Sequence, residues 1–148
     1  MKQSILIVWM VTFTALFASS VSAANATPLT TLSHAIISVQ STGKWVDSNG
    51  TAGTYRIVLL KDKKGGQSLH VQWLTSESAK TNKIPYTLEV TEIASLDLKI
   101  IGISAQASPR GDLSIYLEAD VSEDPDAAYG YELFLVDRKS YSFGPASN

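Results

Sequence analysis

The stretch that decides the fold runs from residue 54 to residue 74 and reads Thr54-Tyr-Arg-Ile-Val-Leu-Leu-Lys-Asp-Lys-Lys-Gly-Gly-Gln-Ser-Leu-His-Val-Gln-Trp-Leu74. Two runs in which apolar and polar residues alternate flank a Lys/Gly turn, which is typical of a β-hairpin. Successive side chains of a strand point to opposite faces. The hairpin therefore predicts a core face centred on Trp73 and a polar face that carries His70.

Outward from this hairpin, similar alternation predicts strands over residues 34–41, 85–91, 96–107, 113–121 and 129–137, with a short further piece at 141–143. The alternation slips at Ile100-Ile-Gly102, which predicts a β-bulge. About seven or eight short strands predict an all-β protein, an immunoglobulin-like antiparallel β-sandwich. A small up-and-down β-barrel is the alternative.

The N-terminus has the three parts of a secretory signal peptide. Lys2 provides the basic start, residues 5–17 are an apolar run, and small residues lead to Ala23. We expect residues 1–23 to be removed, residues 24–32 to be a flexible lead, residues 33–143 to be one β-sandwich domain and residues 144–148 to be a polar tail. The apolar run is shorter than the ~20 residues that span a bilayer, so the mature chain is predicted to be secreted or periplasmic, without a membrane span.

Composition narrows the function classes. The 148-residue chain has no cysteine, which excludes disulfides and thiolate chemistry. Removing Lys2 leaves eleven of the twelve basic residues against fourteen acidic ones, so the mature chain is weakly acidic. This balance does not favour nucleic-acid binding.

The two histidines do not predict an active site. His34 lies at the start of the first strand, and His70 shares the polar face of its strand with Ser68 and Gln72. Side chains two apart on a strand lie about 6–7 Å from each other, too far for a nucleophile and its base without rotation. We therefore expect a solvated sheet face and a protein that is not an enzyme and has no cofactor.

An acidic stretch near the sixth strand is the best candidate for a metal site. It contains oxygen ligands of the kind that calcium prefers, at Glu118, Asp120, Glu123, Asp124 and Asp126. The spacing lacks the glycine and the closing glutamate of an EF-hand. We expect an acidic surface loop with no metal, and calcium binding stays open.

The tripeptide Arg110-Gly111-Asp112 matches the motif that integrin-binding proteins display on exposed loops. It lies at the tip of the predicted turn 108–112. Proline and glycine in this segment are also the residues that a tight turn requires, so we expect a turn.

The run Thr42-Gly-Lys-Trp-Val-Asp47 resembles the opening of lipocalin and avidin-like barrels. In those families the tryptophan begins a long strand, whereas here residues 47–50 are predicted to turn the chain at once. The further tryptophans of an avidin-type pocket are missing. The resemblance covers fewer than ten residues and implies a small-ligand-binding barrel as the alternative function.

The last main strand carries the strongest functional signal. Phe134 and Val136 place apolar side chains on the face opposite to the core-facing residues, where they need a cover. Tyr141 and Phe143 are predicted to fold back over them. The alternative is a protein partner or a second copy at the same place. We therefore expect an exported, non-enzymatic binding or accessory module that acts through a sheet edge or loop tips.

Overall fold

The computed structural model describes residues 33–81, 83–121 and 124–147, and in them it shows an all-β protein with two short helices. In chain order the elements are β1 (Ile36–Val46), β2 (Ala52–Lys61), β3 (Gln67–Thr75), α1 (Ser76–Thr81), β4 (Tyr86–Val90), α2 (Thr91–Ser95), β5 (Lys99–Ala107), β6 (Leu113–Val121), β7 (Asp124–Leu135) and β8 (Tyr141–Pro145). The predicted signal peptide and the lead lie outside the described residues.

The strands form two antiparallel sheets of four, so the prediction of an antiparallel β-sandwich is confirmed. Strand order in the sheets is β1-β2-β3-β4 and β5-β6-β7-β8, and every paired strand is a neighbour along the chain. An immunoglobulin domain instead mixes strands from both halves of the chain in one sheet. The connectivity here is that of two consecutive meanders, with α2 carrying the chain from one sheet to the other.

One hydrophobic core lies between the inner faces of the sheets. The central hairpin supplies it as predicted, because Tyr55 and Trp73 pair across β2 and β3 and are both buried. The second sheet supplies the buried residues Ile100, Leu113, Ile115, Leu117, Ala119, Leu133 and Leu135. Ile93 is fully buried on α2 and covers this core from one side.

Strand β1 is longer than predicted and changes phase near its end. Its inner residues pair with buried positions of β2 as far as Thr42, which lies opposite Tyr55. One extra residue then interrupts the register, and Trp45 lies opposite Gly53. Because such a bulge turns the following side chains over, Trp45 enters the core at 3% exposure, and its Nε1–H donates to the Thr54 carbonyl at 3.1 Å.

The two sheets meet along β1 and β5 through side chains. Gln40 Nε2 donates to the Ile103 carbonyl at 3.0 Å, and Thr42 Oγ1 donates to the Ala105 carbonyl at 3.2 Å. Gly43 has a positive φ of 52°, and a Cβ there would overlap the Cβ of Ala107. Only glycine allows β1 to approach β5 so closely.

The predicted bulge in β5 is confirmed by a register shift between Ile100 and Gly102. The side chain of Gln67, at the start of β3, bonds both backbone groups of Ile100: Gln67 Oε1 accepts from the amide at 2.6 Å, and Nε2 donates to the carbonyl at 3.4 Å. Gln67 thus replaces the ladder bonds that the bulge interrupts.

Truncation of Trp73 to alanine should lower the free energy of unfolding by about 3–5 kcal/mol, the range for removal of a large buried aromatic side chain. The Trp73 ring is 2% exposed and packs edge-to-face against Tyr55 and Tyr86, with centroid distances of 5.5 and 5.2 Å. Urea unfolding measures the loss. Tyr129→Ala, at an exposed position of β7, is the matched control and should cost less than about 1 kcal/mol. A similarly small cost for Trp73→Ala would contradict its place in the core.

The Gly43→Ala variant should lose about 2 kcal/mol or more, because it combines a left-handed backbone conformation with overlap against Ala107. Gly144→Ala is its control, since a Cβ at Gly144 meets no atom within 4 Å. Equal thermal stability of the two variants would show that β1 and β5 do not require this close approach.

Candidate functional site

A cleft of about 480 Å³ opens at one end of the sandwich, and we call it the end cleft. Its floor is formed by the buried aromatic residues Trp45, Tyr55 and Trp73. Its rim is formed by residues 46–49, 110–111 and 136–139, which belong to the connections β1–β2, β5–β6 and β7–β8. The volume lies within the range of about 300–1,000 Å³ that is usual for ligand sites.

Each of the three rim turns is fixed by a short polar side chain at its start. Asp47 Oδ1 accepts from the amides of Asn49 and Thr51, both at 2.9 Å. Ser108 Oγ accepts from two amides of its own turn at 3.2 Å. Asp137 Oδ1 accepts from two amides of the β7–β8 turn at 2.7 and 2.8 Å. In the turns that begin at Asp47 and Ser108 these bonds add to backbone hydrogen bonds, so short polar side chains help to fix the shape of the rim.

Arg138 joins two of these turns to the cleft floor. Its Nη2 donates to Asp47 Oδ2 at 3.1 Å, and its Cζ lies 4.9 Å from the centroid of the Trp45 ring. A guanidinium can stack on an aromatic face and form an ion pair in its own plane at the same time. Arg138 is therefore held from two directions, although its side chain is still 35% exposed.

Two ionisable groups of the cleft have shifted pKa values. Partial burial disfavours the charge of Asp47, but the amides of Thr51 and Asn49 and the Arg138 guanidinium together hold its pKa below the ordinary value. Burial, and then the nearby charge of Asp112, raise the pKa of the Tyr55 phenol. Tyr55 is thus a neutral donor, and its hydroxyl bonds the Gly111 carbonyl.

The candidate partner residues do not all lie on one face. Tyr141 pairs with Leu135 and Phe143 pairs with Leu133, so both aromatic residues lie on the inner face of the sheet. Phe143 stacks on Tyr131 there, at a centroid distance of 5.4 Å. The prediction that Tyr141 and Phe143 cover the outer residues is therefore wrong.

The two outer residues of this candidate set remain uncovered. Phe134 is 42% exposed and lies opposite Ser142, while Val136 is 65% exposed and lines the end cleft. The apolar strip of Phe134 and Val136 thus leads directly to the rim.

The Arg110-Gly111-Asp112 tripeptide forms the predicted turn between β5 and β6. Gly111 has a φ of 95°, and its amide donates to the Ser108 carbonyl at 3.0 Å. The Asp112 carboxylate is half-buried and accepts from Ser108 Oγ at 3.2 Å. Only the arginine of the motif is exposed, and Arg110 and Gly111 line the end cleft.

Ser68 and His70 approach more closely than predicted. The His70 Nε2 atom lies 3.1 Å from Ser68 Oγ, because both side chains rotate toward each other on the outer face of β3. Glu89 lies opposite His70 on β4, but among the described residues no hydrogen bond joins the two. His34 is exposed and lies outside this group.

The acidic candidate for calcium falls largely outside the described side chains. Glu118 and Asp120 lie on β6, and Asp120 pairs with Lys99 at 2.6 Å. Among the described residues no group of three metal-ligating side chains occurs. Separately, no helix in this part of the chain is both long and apolar enough to cross a bilayer. Calcium binding at residues 118–126 stays a prediction that this structure does not test.

Sequence reasoning did not identify Trp45, Asp47 and Arg138 as one site. Asp47 and Arg138 are 91 positions apart, and neither lies in a motif that indicates the other. The available signal was composition, since Asp47 and Arg138 each lie in a segment rich in Asp, Ser and Asn or Lys. No protein-family model, curated protein or solved structure matches the chain.

The Asp47 carboxylate should make the free energy of unfolding depend on pH under acidic conditions. Because its pKa is lower in the folded chain, its contribution is complete above the ordinary value of 3.8 and is lost as pH falls through the folded-state pKa. The free energy of unfolding of the wild type should exceed that of Asp47→Asn near neutral pH, and the difference should shrink below pH 3.8. Urea unfolding at several pH values measures this difference.

The wild type and Asp47→Asn share every other carboxylate. The difference between their free energies of unfolding therefore excludes the titration of those groups. These include Asp137, whose pKa is also held low, by hydrogen bonds from the Lys139 amide and from Ser140. A difference that stays constant down to about pH 2 would mean that the contacts of Asp47 do not favour its charged form.

Proposed function

We propose that the protein is an exported, non-enzymatic binding module that contacts a protein partner with the end of the sandwich that carries the end cleft. The observation that carries this proposal is the position of Val136. It lies just beyond the end of β7, continues the exposed apolar strip that begins at Phe134, and also lines the end cleft together with Arg110 and Gly111 of the β5–β6 turn. The two candidate regions of the sequence therefore border one surface.

The chemistry of this surface supports a partner contact. Phe134 and Val136 lie on the outer face of an edge hairpin, and neither is covered by β8. Burial of exposed apolar area against a partner favours association. The rim turns next to the strip provide directional polar groups, which is the usual division between apolar centre and polar margin in an interface.

Export is supported by the sequence of residues 1–23 and by the absence of cysteine from the chain. We propose the periplasm or the cell exterior as the location. A chain without disulfides there must derive its stability from its core, and the two-sheet core is extensive enough for that role.

The proposal of a non-enzymatic role rests on the arrangement around His70. A serine nucleophile requires a base, a group that orients the base and donors for the developing charge. Ser68 and His70 provide the contact between a nucleophile and its base, at 3.1 Å, on an open sheet face. Among the described residues the orienting hydrogen bond to Glu89 is missing.

A small-ligand-binding protein is the second candidate function. The volume of the end cleft favours it, since about 480 Å³ is enough for a small organic molecule. The two candidates differ in whether Phe134, the residue of the apolar strip that lies outside the cleft lining, contributes to binding.

The double variant Phe134→Ser with Val136→Ser tests the proposal. Both side chains are exposed, so the free energy of unfolding should fall by less than about 1 kcal/mol. Crosslinking to a partner in the native exported fraction, or self-association measured by light scattering, should be lost. Binding of a small molecule in the cleft without any role for Phe134 would favour the second candidate.

The matched control is Ile37→Ser with Val39→Ser, which removes two apolar side chains of similar exposure from the outer face of β1 in the other sheet. This variant should retain the partner. A stable Phe134/Val136 variant that crosslinks to the same partner as strongly as the wild type would exclude this surface as the contact.

A further inference from the structure

We propose that the end cleft binds a carboxylate attached to a small apolar group, with Arg138 and Arg110 as the donors. This inference rests on the proposed function, because it names the group of a partner or ligand that enters the cleft. It follows from the contacts that hold Arg138, from the charges of the rim and from the exposed apolar residues beside those charges.

Arg138 is arranged as a preformed anion receptor. Its stacking on Trp45 fixes the plane of the guanidinium, and its bond to Asp47 fixes the rotation within that plane. A guanidinium has five N–H donors. In the described part of the chain only Nη2 makes a hydrogen bond, to Asp47, so donors remain on a side chain that lines the cleft. Little conformational entropy is lost when such a fixed group binds.

The rim has positive charge that its own acidic residues do not neutralise. Arg110 and Lys139 are exposed and line the cleft, and neither forms a salt bridge with any described residue. Asp47 accepts three hydrogen bonds, from two amides and Arg138, and Asp137 accepts two from amides of its turn. Bonds from neutral amides leave both carboxylates charged, so the cleft lining has three cations, Arg110, Arg138 and Lys139, against two anions, a net charge of +1 that favours an anionic ligand.

The apolar residues of the rim select among anions. Val46 is 63% exposed and Val136 is 65% exposed, and both line the end cleft. A group that places an anion on Arg138 lies close to these two side chains. Inorganic phosphate has no apolar part to cover them, whereas the carboxylate of a peptide terminus or of an acidic residue next to an apolar residue does. A planar carboxylate also matches the guanidinium edge in a bidentate pair.

The experiment is a titration of the isotope-labelled chain followed by NMR at the indole N–H of Trp45 and the Nε–H of Arg138. The probes are N-acetyl-leucine, which represents a peptide C-terminus, and N-acetylglutamyl-leucinamide, which represents an acidic side chain. N-acetyl-leucinamide and inorganic phosphate are the comparison compounds. Saturable shifts with either carboxylate probe, at least about tenfold tighter than with the amide or with phosphate, are expected. The probe that binds more tightly identifies the source of the carboxylate.

Three variants assign the effect to the rim. Arg138→Lys keeps the charge but removes the planar fork, and Arg110→Gln removes an exposed donor; each should weaken carboxylate binding by about tenfold. Lys64→Gln is the matched control, because it removes one exposed cation from the β2–β3 turn at the opposite end of the first sheet and should leave affinity unchanged. Arg138→Lys could weaken binding by destabilising the fold, which a lowered melting temperature would reveal. In that case the affinity of Arg110→Gln tests the inference, since the Arg110 side chain has no described partner to lose.

Equal affinity for N-acetyl-leucine and its amide, unchanged affinity in Arg110→Gln, or no shift at Trp45 and Arg138 up to about 10 mM probe would each overturn the inference. None of these results touches the proposed function, which is tested by crosslinking through Phe134 and Val136. Conversely, retention of the partner by the Phe134/Val136 variant would contradict the proposed function without altering the carboxylate titration, which is made on the chain with Val136 in place.

Discussion

The close approach of β1 to β5 at Gly43 is the constraint on which the rest of this structure depends. Without a Cβ, β1 comes within side-chain hydrogen-bonding distance of β5, and the extra residue that follows turns Trp45 into the core. The buried indole then supports Arg138, and Arg138 holds Asp47. A backbone condition at one glycine thus determines both how the sheets join and where the end cleft lies.

The central strands were predictable because their alternation is strict and their inner residues are all apolar. Trp73 was placed correctly in the core on this ground alone. The inner face of strand β1 could not be predicted from its sequence in the same way. Its inner face at Ser38, Gln40 and Thr42 is polar, while Ile37 and Val39 point outward. Gln40 and Thr42 bond the backbone of β5 instead of filling the core.

The site was predictable only in parts. The turns at residues 47–51 and 108–112 follow from their Asp, Ser and Gly content, whereas residues 136 and 137 were predicted to belong to the last main strand, which ends at Leu135. The common position of the three turns at one end depends on the register of the sheets. The face of the sheet on which Tyr141 lies also depends on register, since one residue more or fewer in the preceding turn would move Tyr141 to the opposite face. The contact of Ser68 with His70 depends on rotamers, which spacing along a strand does not specify.

The sequential order of the strands has a consequence for how the chain reaches this structure. Every backbone ladder joins strands that are neighbours along the chain, so each hairpin closes a short loop at a small cost in entropy. The first sheet is complete at Val90, before any residue of the second is required. A chain that emerges from a pore or a ribosome with its N-terminus first can therefore pair its strands in the order in which they appear. Only the shared core and the side-chain bonds between β1 and β5 must form after the second half has arrived.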